Sequence, residues 1–281
     1  MEASSLRSVD GVPGPEIEVE LQVAPPTRLE AYMHGGGVEV GVDREVVERF
    51  LASHEGGSAA FRAVGGAVHA FVERAVRHLT DEAGARQFLV MGSSISGRAN
   101  VHEIAQAIAP ESRAVYVLFD PVMLVYAHRL LSGAEGTTAY VRARLRDVDA
   151  ILRQAANTLD LSRPVAVVMP ANLSYVRSTA KATEIVDRLM DPLAVGSHLV
   201  ASHHASDLLV DEVTPVYRRL AELAAERRAW EVAPRSHAEV AAFFAQLELV
   251  EPGVVPIERW RPAQDAEGPV KVAIHGAVGR K

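Results

Sequence analysis

The sequence predicts an α/β protein: a mostly parallel sheet covered by helices on both faces and finished by an antiparallel terminal strand. Three observations carry that reading. From residue 87 onward, short apolar runs alternate with helical stretches of about 10–15 residues, the rhythm of βαβ units. No fixed-period repeat or low-complexity segment interrupts it. The 281 residues are 48% hydrophobic and 23% charged, enough for one large packed domain with terminal additions.

The elements follow in order. Residues 1–15 carry Ser, Gly and Pro without periodicity and read as a tail. Residues 16–23, EIEVELQV, alternate strictly, which is the period of a strand with one exposed face, suited to pairing with another sheet edge or with a second copy. Pro25 and Pro26 break it. Asp43 reads as an N-cap for DREVVERFLASH (43–54), and a second helical pattern covers residues 61–79. Strands are expected at 87–91, 114–119, 137–142, 164–169 and 198–202, with helices at 100–109, 121–131, 146–157 and 179–190 between them. A helix at 212–228 follows. A capping-box start at Ser236 and Glu239 precedes another, and a strand–loop–strand ending spans 247–251 and 270–278. The chain divides into a tail with one extra strand (1–27), a helical cap (28–84) and an α/β domain (85–281).

Composition excludes several function classes. With 29 Lys and Arg against 36 Asp and Glu, the net charge of −7 does not suit wrapping a nucleic-acid backbone. The absence of cysteine removes disulfides, thiolate metal sites and cysteine nucleophiles. No apolar run reaches the roughly 20 residues of a membrane-spanning helix. The opening residues, MEASSLRSVDGVPGPE, lack the basic-then-apolar pattern of a leader, so a cytoplasmic location is expected, with neither nucleic acid nor membrane as partner. A phosphate-binding GxxxxGK[ST] motif is missing, and the HGGG run at 34–37 has no Gly-x-Ser-x-Gly elbow to make it a hydrolase oxyanion loop.

Several phrases resemble a known family: DREVVERFL (43–51), RAVRHLTDEAGARQFLVMG (74–92), NVHEIAQAIAPESRAVYV (100–117), DPVMLVYAHRLL (120–131), GTTAYVRARLRDVDAIL (136–152), LSRPVAV (161–167), RSHAEVAAFF (235–244) and LELVEPGVVPIERWRP (247–262). They resemble an actinobacterial family of S-adenosylmethionine (SAM) methyltransferases once catalogued as a domain of unknown function. The resemblance runs from about residue 28 to the end. It implies a Rossmann-like class I methyltransferase fold with a seven-stranded sheet.

The resemblance also places a cofactor cleft, and there the residues depart from it. In the family, an acid and a Gly-x-Gly turn after the first parallel strand receive the amino-acid end of SAM. Here the segment is Val90-Met91-Gly92-Ser93-Ser94, so Gly92 alone remains from that signature and Ser93 and Ser94 complete the turn. Leu118 stands where the family's carboxylate holds the ribose hydroxyls, and Asp120 reads first as a helix N-cap. Arg144 replaces the acid that meets the adenine amine, with Arg142 two residues before it. Hydrogen bonds to charged groups contribute roughly 1.5–3 kcal/mol each, so losing three would turn micromolar binding into millimolar or weaker if they simply added. The expectation is therefore that no cofactor is used, with SAM in an altered site as the alternative.

Other residues are candidates for the chemistry. Arg142 and Arg144, at i and i+2, share one face near a strand end and favour an anion; their structural alternative is pairing with Asp147, Asp149 or Glu103. Asn172 and Tyr175, after the fourth parallel strand, sit where methyltransferases place substrate-facing residues. His203 is the candidate general base beside His204, with Asp207 as the nearest third ligand for a metal, and no metal site is expected. Tyr32, matching an aromatic of the family, is placed to close over a ligand, whereas His69 and His78 read as packing residues. The leading expectation is a SAM-independent enzyme or enzyme subunit acting on a small anionic metabolite in bacterial specialised metabolism. The alternatives are a methyltransferase with an altered cofactor site and a non-catalytic subunit of a homodimer or heteromer.

Overall fold

A computed structural model of the chain describes residues 5–6, 17–18, 28, 44–45, 47–49, 57–92, 99–130, 137–227, 231–262 and 271–281. Ser5–Leu6 (β1) and Ile17–Glu18 (β2) pair antiparallel, so the described part of the alternating segment has its partner within the chain. Residues 44–45 and 47–49 are helical, within the helix expected from 43 onward; Asp43 itself lies outside the described residues. The main body then runs Gly57–Asp81 (α1), Gln87–Met91 (β3), Val101–Ile108 (α2), Arg113–Leu118 (β4), Pro121–Leu130 (α3), Thr138–Arg142 (β5), Val148–Ala155 (α4) and Ala166–Pro170 (β6). It continues with Thr179–Met190 (α5), His198–His204 (β7), Val210–Arg227 (α6), His237–Ala241 (α7), Glu248–Leu249 (β8), Val255–Pro256 (β9) and Ile274–Arg280 (β10).

The strands assemble in the order β5-β4-β3-β6-β7-β10-β8, with β9 also paired to β10. The first five are parallel to one another, and β10 runs antiparallel to β7, β8 and β9. β9 was not expected: it is two residues long and contains a proline, which lacks a backbone donor and suits an edge.

The uninterrupted apolar character of the central strands follows from burial on both faces. Leu89, Val117, Val167 and Met169 pack against α4 and α5, through residues such as Ile151 and Val186. Phe88, Val90, Tyr116 and Val168 pack on the opposite face against Phe71 and Leu79 of α1 and Ile104 of α2. On that second face β10 has no side chain at Gly276, where a Cβ would stand 2.6 Å from Ile257 Cγ2 and 3.0 Å from Phe71 Cζ. Glycine there lets helix and strand approach closely.

Chain order reverses at β3: β4 and β5 extend the sheet on one side, β6 and β7 on the other. The crevice at such a reversal, outside the carboxyl ends of the strands, is where open α/β sheets bind ligands. Met91-Gly92 and Pro170-Ala171-Asn172 meet at that point. Among the described residues, no helix is long and apolar enough to cross a membrane.

Candidate functional site

Gly92 turns away from β3 with φ +84°, a left-handed conformation that side chains disfavour. Its N–H donates to Val117 O at 2.9 Å. A Cβ at this position would stand 3.2 Å from Asn172 Nδ2, so the two expected site residues are brought into contact. Asn172 Oδ1 is buried and has no hydrogen-bond partner among the described residues. A buried acceptor left unpaired costs about 1–3 kcal/mol, which a ligand donor would relieve. Ala171, just before it, is buried with φ 58° and ψ 2°. Its N–H is held by Ser202 O and Oγ at 3.2 and 3.1 Å. A non-glycine residue in that region costs on the order of 1–2 kcal/mol, and such strain concentrates at functional turns. The strained residue launches the short 3-10 turn Asn172–Tyr175 that carries both expected residues.

That turn is fixed from behind by Arg235, a residue the sequence pattern does not single out. Arg235 is 2% exposed and donates to Leu173 O (3.1 Å), Val176 O (2.6 Å), Thr179 Oγ1 (3.1 Å) and His203 Nε2 (2.6 Å). Its main chain bridges to Ala205 and accepts and donates beside β7. Because Nε2 of His203 accepts from the guanidinium, Nδ1 carries the proton and donates to His204 O at 2.8 Å. Both ring nitrogens are thus occupied, and burial, reinforced by the Arg235 charge, pushes the imidazole pKa down to about 3. This corrects the expectation of His203 as a general base: it lies inside β7 as a neutral acceptor with no lone pair left for a substrate.

His204 is the histidine at the carboxyl edge. Its N–H donates to Ser174 Oγ at 3.1 Å, and Nδ1 lies 3.2 Å from the Tyr217 hydroxyl of α6, with the rings edge to face. Burial pushes its pKa down to about 4 and raises that of Tyr217. Asp207 does not join it. One carboxylate oxygen lies 2.7 Å from His275 Nε2 and the other accepts from His237 N at 2.7 Å, which ties the segment after β7 to β10 and α7. Among the described residues, no three His, Asp or Glu side chains converge to hold a metal.

At the far edge of the crevice, Leu118 is buried against Ala127, Leu124 and Tyr140. Arg142 stands opposite it in the β4–β5 register. Arg142 and Arg144 are both exposed while Val141 and Ala143 are buried, and Ala143 N still donates to Leu118 O at 3.3 Å, so the two arginines share one face as expected. Arg144 lies over the Phe119 ring at 4.2 Å. Asp120 caps α3 by accepting from Met123 N at 3.0 Å and meets buried Arg28 at 3.3 Å. His69 contacts Ala99 O and His78 pairs with Glu82, both structural roles. Tyr32, Ser93, Ser94 and the HGGG run lie outside the described residues.

Residues 14–281 match the profile of a family described as S-adenosyl methyltransferase. The chain belongs to this family. Among solved structures, it is similar to a DUF574 family protein from Streptomyces avermitilis, at 39% identity and a TM-score of 0.79 over 91% of this chain and 96% of that one. A protein described as a candidate methyltransferase from Thermobifida fusca shares 29% identity and a TM-score of 0.80, over 93% and 96% of the two chains. No curated protein matches the chain. Membership of an S-adenosyl methyltransferase family overturns the expectation that no cofactor is used. That expectation summed the penalties for three carboxylates, and such contributions are not additive within one site. The sum also omits acceptors on the nucleoside, which guanidinium donors can satisfy.

Proposed function

We propose that the chain is a SAM-dependent methyltransferase with an altered nucleoside end in its cofactor site. The observation that carries this reading is the glycine turn: Gly92, at a φ closed to side chains, lies under Asn172 at the point where strand order reverses. The residues fit the cofactor there. A ligand's ammonium group can donate to the unpaired Oδ1 of Asn172, and backbone without a Cβ can approach closely. At the other end, Arg144 can donate to adenine ring nitrogens, which accept. Neither Leu118 nor the arginines can accept from the adenine amine or the ribose hydroxyls.

Bound SAM supplies an electrophilic methyl group on a sulfonium. The chain's own groups bind and orient the acceptor. Tyr175 lies on the 3-10 turn after β6, the strand beside β3, and the His204–Tyr217 pair joins the end of β7, one strand further on, to α6. His204 is neutral at pH 7 because its pKa is depressed, so its ring can hold an acceptor hydroxyl or amine by a hydrogen bond.

Calorimetry with SAM and with its demethylated product tests the reading. Saturable binding of both is expected, and Gly92→Ala should weaken it about tenfold or more, since the new Cβ meets both backbone strain and Asn172. A folded wild-type chain that binds neither ligand at millimolar concentration would overturn it.

A further inference from the structure

Arg142 and Arg144 are exposed on one face at the carboxyl end of β5. Of the three acids expected to pair with them, two are engaged elsewhere, and Asp147 makes no ion pair with either among the described residues. Asp149 is taken by Arg188 at 3.0 Å, and Glu103 by Asn100 at 2.6 and 3.0 Å. Arg142 and Arg144 therefore make no ion pair with a carboxylate among the described residues, and Arg144 is braced on Phe119 at 4.2 Å instead. Strand spacing separates the two Cα atoms by about 6.6 Å on one face, a distance that a single tetrahedral or planar oxyanion bridges between two flexible side chains. Like charges held on one face repel, which an anion between them would reverse.

We propose that Arg142 and Arg144 form an oxyanion site, for a phosphate or carboxylate group, at the edge of the cofactor crevice. Its place in the mechanism rests on the methyltransferase reading; its existence rests on the arginine pair alone. Two sources supply the same chemistry. A free anion would return acceptor oxygens to a nucleoside end that has lost its carboxylates. An anionic group on the methyl acceptor would instead anchor the substrate at the crevice mouth.

Inorganic phosphate, titrated at constant ionic strength into the SAM-free protein and followed by calorimetry, tests the site. Saturable binding is expected, weakened about tenfold or more in Arg142→Ala and in Arg144→Ala and unchanged in Arg146→Ala, an exposed control outside the shared pair. No saturable binding, or equal binding by the Arg142→Ala/Arg144→Ala double variant, overturns the proposal. Because SAM is absent from this titration, its failure is distinct from failure of the methyltransferase reading. Repeating the SAM titration with and without phosphate then separates the sources. Tighter SAM binding in phosphate, lost in the double variant, assigns a free anion; SAM binding that phosphate leaves unchanged assigns the site to the methyl acceptor.

Discussion

Arg235→Ala is expected to destabilise the protein by about 3–5 kcal/mol and to weaken ligand binding at a turn the arginine never exposes to solvent. The side chain is 2% exposed, and its fork serves Leu173 O, Val176 O, Thr179 Oγ1 and His203 Nε2 together. Truncation leaves those acceptors buried beside a cavity. The turn that carries Asn172 and Tyr175 is tied to β7 through this fork, so local order should fall there first. Urea unfolding gives the stability change, and hydrogen exchange at residues 172–176 gives its location. Arg235→Lys keeps the charge but not the planar fork, and should recover only part of the loss. A loss below about 1 kcal/mol for the alanine variant would show that water replaces the fork.

Lowering the pH from 7 to 5 should cost several kcal/mol of stability, well before most carboxylates titrate. His203 is held down to about 3, and His198 and His204 to about 4, in each case mainly by burial. In the unfolded chain all three protonate near pH 6.5. Between about pH 6.5 and those depressed values the unfolded state binds more protons, so stability is full above the unfolded pKa and declines as pH falls. At pH 5 the penalty is about 2 kcal/mol for each histidine. Denaturant midpoints at the two pH values, with histidine proton resonances to follow titration, check this. Equal midpoints would mean that these imidazoles are not desolvated.

Most of the layout was legible because parallel strands buried on both faces leave a clear mark. QFLVM and TAKATEIVDRLM occupy the expected β3 and α5, and Asp120 caps its helix as its position implies. What escaped was written in main-chain partners. β7 continues through His203 and His204, although two histidines resemble a loop. His203 alternates inward behind Leu199 and Ala201, and burial becomes tolerable once Arg235 and His204 O occupy its ring nitrogens. Nothing in sequence spacing encodes an arginine whose partners include two carbonyl oxygens some 60 residues away, at 62 and 59 positions. Its one signal was placement directly before the Ser236 capping box. Leu118 and Arg144, read against the family pattern as standing in for carboxylates, led to an expectation of no cofactor that family membership overturns. A count of carboxylates at single positions does not add up to a binding energy, because groups within one site are not independent.

β10 is inserted between β7 and β8, with Gly276 admitting Phe71 and Ile257 against it. Among the described residues, the two short segments at 248–249 and 255–256 find their ladder partners on that strand. During synthesis they must wait until residues 274–280 have left the ribosome, and β7 meanwhile presents an open edge about 70 residues ahead of its eventual neighbour. A chain stopped before that point would leave this edge of β7 without its ladder, an unpaired edge of the kind that templates pairing with another chain.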